Sequence, residues 1–118
     1  MKLSLLARAP QPSPTAPGSL VVETAGKSTT YTVQPGQHVT LGRDRAADVV
    51  VDDARVSPRH VLIARLGPGW LVTSLDAANP AMLLDPTGRS HPVDRELGLR
   101  TGELVVGGSL VKLYRVAP

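Results

Sequence analysis

Beyond residue 18, every β-prone run in this chain is soon interrupted by a glycine or proline turn signal. That punctuation leaves room for little besides short strands. Ala25-Gly26-Lys27, Gln34-Pro35-Gly36-Gln37, Gly67-Pro68-Gly69, Asp85-Pro86-Thr87-Gly88 and Gly107-Gly108 separate segments rich in Val, Leu and Thr. Turn signals recurring at roughly eight to twelve residues are the pattern of a two-sheet sandwich. With 118 residues, 11 Gly and 11 Pro, the chain fits one compact all-β domain and shows no long helix or internal repeat.

The segments themselves read as strands. Ser19 to Thr24 precedes the first turn, and Thr29 to Val33 follows it with Tyr31 and Val33 on one face and Thr30 and Thr32 on the other. Pro35 and Gly36 stand at the central positions of a type II turn, which feeds a strand over residues 38–42. Further strands are expected at 49–51, 60–66, 70–75, 82–84, 103–106 and 110–116. The core must be aliphatic, because Phe is absent and only Trp70, Tyr31 and Tyr114 supply aromatic area.

The chemistry concentrates between Leu41 and His60, LGRDRAADVVVDDARVSPRH. A strand ends in Gly42-Arg43, three valines separate two polar loops, and the second loop closes on Ser57 and His60. Arg43, Arg55 and Arg59 offer planar guanidinium donors and Ser57 a hydroxyl, a set suited to a tetrahedral anion such as phosphate.

In order and spacing, Gly42-Arg43, the Ser-x-x-His formed by Ser57 and His60, and Asn79 resemble the forkhead-associated (FHA) domain family. Thr101-Gly102-Glu103 followed by Val105-Val106-Gly107 resembles its closing strand pair, and the likeness covers residues 19 to 118. The resemblance implies a β-sandwich of about eleven mostly antiparallel strands, whose loops at one end bind phosphothreonine peptides. It further implies that Arg43 orders the loops and meets the phosphate or adjacent peptide backbone, that Ser57 donates to a phosphate oxygen, and that Arg55 adds a second cation. Gly42 and His60 then support the site, with His60 mostly buried as a brace for the serine loop. Asn79 is expected at the peptide, although Ala77, Ala78 and Pro80 replace the hydroxyls and glycine that usually surround this asparagine. Proline pushes the preceding residue towards extended geometry, so the amide of Asn79 either reaches the peptide from an altered loop or leaves the site.

Other chemistries are disfavoured. Ser57 and His60 lack a third group and a strand-to-helix nucleophile turn, so no enzyme is expected. His38 and His91 stand alone, without metal-ligand spacing, and no cofactor is expected. A net charge of +3 spread along the chain, with few aromatics to stack bases, argues against nucleic acid. The absence of cysteine suits a reducing compartment, so a cytoplasmic location is expected. In MKLSLLARAP, Arg8 breaks the apolar run too early for a signal core or membrane span, so no membrane insertion is expected.

Residues 1–18 are read as an N-terminal segment with a proline-rich linker over 9–18, and as a possible edge strand over 1–8. The expected function is phosphorylation-dependent protein interaction, as a monomer, with a phosphothreonine protein made by a Ser/Thr kinase. The alternative is a degenerate fold of the same type that assembles with an unphosphorylated partner, for which Ala77 and Ala78 speak.

Overall fold

A computed structural model describes residues 17–115. Eleven strands follow one another with no helix among the described residues: β1 (Gly18–Thr24), β2 (Lys27–Val33), β3 (His38–Gly42), β4 (Val49–Val50), β5 (Val61–Leu66), β6 (Gly69–Ser74), β7 (Met82–Leu84), β8 (Ser90–Pro92), β9 (Glu96–Leu99), β10 (Gly102–Val106) and β11 (Ser109–Arg115). One sheet runs β2-β1-β11-β10-β7-β8 and the other β4-β3-β5-β6-β9. All pairings are antiparallel except β3 with β4, which run parallel. The expected mostly antiparallel sandwich of eleven strands is therefore what the chain forms.

Alternation decides which side chains fill the space between the sheets. Leu20, Val22, Leu104, Val106, Val111 and Leu113 face inward from the larger sheet, opposed by Leu41, Val61, Ile63, Trp70 and Val72 from the smaller. Burying side chains of this size contributes about 1.5–3 kcal/mol each. This core supplies the rigid platform on which the loops rest.

One inward position carries a charge. Arg65 follows Val61 and Ile63 on the buried face of β5 and is fully buried. Its Nη1 donates to the Gly69 carbonyl at 2.7 Å, and its guanidinium carbon lies 5.4 Å from the centre of the Trp70 ring. The ring face and the carbonyl together replace water around the charge.

Turn chemistry agrees with the expectation at Gln34–Gln37, where Gly36 has φ of 79° and the Gln37 N–H donates to the Gln34 carbonyl. At the first hairpin the turn is tighter than expected. Ala25 and Gly26 alone form it, with φ of 51° and 78°, so Lys27 pairs with Thr24 and β2 begins two residues early. Positive φ at both central residues matches the twist of a two-residue hairpin.

Strands β8 and β9 were not among those expected from the sequence. Ser90, His91 and Pro92 are all exposed and present no apolar face. Each strand exists through its partner, β8 along β7 and β9 along β6. The expected edge strand over 1–8 and all of the linker but Pro17 and Gly18 lie outside the described residues, and Gly18 already belongs to β1.

Candidate functional site

Four connecting segments meet at one end of the sandwich: residues 43–48 after β3, residues 51–60 between β4 and β5, residues 75–81 between β6 and β7, and the Gly107-Gly108 turn between β10 and β11. Gly42 allows the first two to touch. A Cβ there would lie 2.8 Å from the Pro58 carbonyl carbon and 3.0 Å from the Arg59 Cα, so only glycine permits this approach. The chain crossing is then stitched by hydrogen bonds from the Arg43 N–H to the Ser57 carbonyl and from the Asp44 N–H to the Pro58 carbonyl.

Arg43 emerges exposed from this crossing. Its Nε donates to the Val56 carbonyl at 3.0 Å, which holds the plane of the guanidinium against the serine loop. Arg55 sits on the same loop with its side chain 75% exposed. Asn79 reaches the loop from the third segment, its Nδ2 donating to the Arg55 carbonyl at 3.1 Å and to Ser57 Oγ at 2.9 Å. Arg43, Arg55, Ser57 and Asn79, taken from three segments of the sequence, thus converge on one stretch of backbone, residues 55–57.

Ser57 is the most enclosed of the four, at 8% exposure. Its N–H donates to His60 Nδ1 at 3.0 Å, and its hydroxyl donates to Asp76 Oδ2 at 2.8 Å. The imidazole therefore accepts from the backbone and does not touch the serine hydroxyl. Nδ1 as acceptor places the proton of the neutral ring on Nε2, a buried atom with no hydrogen-bond partner of good geometry. Burial pushes the His60 pKa down, opposed by the Pro80 main chain, the charge of Asp76 and the Asn79 main chain. His60 is fully buried, as expected, and it braces the serine loop.

Two carboxylates complete the arrangement, and neither stood out in the sequence. Asp76 Oδ1 accepts the Ala78 N–H at 3.0 Å while Oδ2 takes the serine proton. Those two bonds, the serine one foremost, hold its pKa below the usual carboxylate range. Asp53 accepts the Arg55 N–H and Nε on Oδ1, and the Gly108 N–H and Ser109 hydroxyl on Oδ2. Led by the Arg55 N–H, these donors lower its pKa to about 2. The only sequence signal for either residue is that aspartate starts side-chain turns, which Asp52 shares with Asp53.

The Gly107-Gly108 turn lies directly beneath Arg55. A Cβ on Gly107, where φ is 61°, would meet the Arg55 carbonyl carbon at 2.7 Å, and one on Gly108 would collide with the Arg55 guanidinium. Among the described residues, no group of three or more His, Asp or Glu side chains gathers as metal ligands would. No helix among them is long and apolar enough to cross a membrane.

A two-sheet β-sandwich of eleven strands with polar loops gathered at one end is the architecture of solved FHA domains. The FHA domain model matches residues 39–105, more than half of the chain, and the chain belongs to this family. No curated protein matches the sequence at a significant level. Solved structures do match. The FHA domain of CT664 from Chlamydia trachomatis is 21% identical, with a TM-score of 0.75 over 86% of this chain and 100% of that one. The FhaA FHA domain, complexed with the intracellular domain of Rv3910, is 26% identical, with a TM-score of 0.66 over 81% of this chain and 98% of that one. An FHA domain solved in an analysis of phosphothreonine-dependent FHA domain interactions is likewise 26% identical, with a TM-score of 0.66 over 85% and 98%.

Proposed function

We propose that this domain is a non-enzymatic module that binds phosphothreonine in a partner protein through Arg43, Arg55, Ser57 and Asn79. The observation that carries the reading is the fixed Arg43 guanidinium. One edge is tied to Val56 while the side chain stays exposed, so donors are oriented before any ligand arrives. A phosphothreonine carries about −1.5 to −2 charge at pH 7, and Arg43 with the exposed Arg55, whose Nε is shared with Asp53, supplies the cations that face it. The relative solved in the study of phosphothreonine-dependent interactions supports the same ligand class, and the one solved with the intracellular domain of Rv3910 supports a protein partner. The partner is then a Ser/Thr kinase substrate, met by a monomer in the cytoplasm.

A second reading has one observation in its favour. The Ser57 hydroxyl is already spent on Asp76, and Ala77 and Ala78 add no replacement, which suits assembly with an unphosphorylated partner. Calorimetric titration of a phosphothreonine peptide library beside its unphosphorylated copy separates the two. Binding confined to the phosphorylated set is expected, and equal binding of both sets would favour assembly.

A further inference from the structure

Ser57 has one proton to give, and in this structure it goes to a carboxylate. The hydroxyl donates to Asp76 Oδ2 at 2.8 Å and accepts from Asn79 Nδ2 at 2.9 Å, so its one proton is committed in a residue that is itself buried. Asp76 does not drift there on a loose loop. Its second oxygen accepts the Ala78 N–H, and the Asn79 N–H donates to the Asp76 carbonyl, so the turn that carries the carboxylate is closed at both its side chain and its main chain.

We propose that Asp76 determines the affinity and charge selectivity of this site, its carboxylate being the group that competes with a phosphate for the Ser57 proton. The inference rests on the phosphothreonine reading above. A phosphate oxygen that seeks the Ser57 proton arrives where Asp76 Oδ2 already sits, and both groups are anions. Two routes remain. Asp76 withdraws and loses its bond to Ser57, or the phosphate binds on the arginines without the serine. Either route weakens binding relative to a neutral side chain at position 76, and the Coulomb repulsion between an aspartate and a dianion a few ångströms away adds to the loss. An uncharged ligand is indifferent to that repulsion, so Asp76 acts on phosphorylated partners selectively.

Titration of a degenerate phosphothreonine peptide pool and its unphosphorylated copy against wild type, Asp76→Asn, Asp76→Ala and Asp76→Glu tests the role. Asp76→Asn keeps an oxygen for the Ala78 N–H and removes the charge, so it guards against a misfolded loop in Asp76→Ala. Asp76→Asn is expected to tighten phosphopeptide binding by about tenfold or more, equivalent to about 1.4 kcal/mol per decade, with no gain for the unphosphorylated pool. Asp76→Ala is expected to follow it, and Asp76→Glu to stay near wild type because it retains the charge. Phosphopeptide binding that is unchanged or weaker in Asp76→Asn would overturn the role of Asp76 while leaving the phosphothreonine reading intact. Absence of phosphopeptide binding by wild type and all three variants would overturn both.

Discussion

Asp53 Oδ2 accepts the main-chain N–H of Gly108 at 2.9 Å, joining residues 55 apart in the chain and clamping the serine loop onto the β10–β11 turn. The same carboxylate holds Ser109 and, through its other oxygen, the N–H and Nε of Arg55. One side chain, 7% exposed, therefore locks together two of the four segments that build the site.

Asp53→Ala should consequently destabilise the domain. It strands the Gly108 N–H and the Ser109 hydroxyl, and charge-assisted bonds of this kind make a loss of about 2–3 kcal/mol the expected size. Denaturant unfolding measures it, with Ser109→Ala as a smaller companion because only one of the four bonds is lost. Phosphopeptide affinity should fall with Asp53→Ala as well, since Arg55 loses its backbone anchor.

The acid limb of stability should carry the signature of the same residue. The Asp53 pKa falls from 3.8 to about 2 on folding, so between those values the unfolded chain binds more protons than the folded one. Stability from this group is full above pH 3.8 and is lost as pH falls towards 2. Asp85, lowered foremost by the Thr87 hydroxyl and next by His91, acts with the same sign. Urea midpoints measured from pH 6 to pH 2 should therefore drop more steeply for wild type than for Asp53→Asn, whose residual slope belongs to Asp85 and Asp76. Identical slopes in the two proteins would mean that Asp53 titrates normally.

Arg43 is expected to resist conservative replacement. Its Nε anchors the guanidinium to the Val56 carbonyl while the terminal nitrogens remain for a ligand, and a lysine ammonium cannot serve both ends. Arg43→Lys and Arg43→Ala should each weaken phosphopeptide binding by about 2–3 kcal/mol, the size of a lost charge-assisted contact. Calorimetry on folded variants checks this, and a lysine variant that binds like wild type would show that charge alone suffices.

Gly42→Ala should damage the fold before it damages binding. The added carbon meets main-chain atoms of Pro58 and Arg59, which cannot rotate away as a side chain would. The serine loop must then lift off the end of β3, breaking its bonds from the Arg43 and Asp44 N–H groups. A loss of about 1–3 kcal/mol in thermal or denaturant unfolding is expected, in the range of other overpacked positions. Gly26→Ala is the contrasting case: its added carbon meets nothing within 4 Å, and its cost comes only from the positive φ of 78°, a strain that Gly42 does not carry.

Local chemistry made much of this protein legible. The Pro35-Gly36 turn, the β10–β11 hairpin and the alternation in β5 each follow from dihedral preferences and period-two patterning within a few residues. The ordered set Gly42-Arg43, Ser57, His60 and Asn79 singled out residues far apart in sequence, and the tertiary structure brings all of them to the loop over residues 55–59. Long-range pairing decided the rest. Strand β8 has no apolar face and β9 is only four residues long with a glycine among them, and each is fixed by pairing with β7 or β6. Arg65 sits in a strand register that points it into the core, where the Trp70 ring and the Gly69 carbonyl receive its guanidinium. Nothing near Asp53 distinguishes it from Asp52, and nothing near Asp76 reveals Ser57 as its partner 19 residues away. Hydrogen bonds of that span depend on where folded loops cross, a property of sheet register and loop packing that no window of local sequence contains.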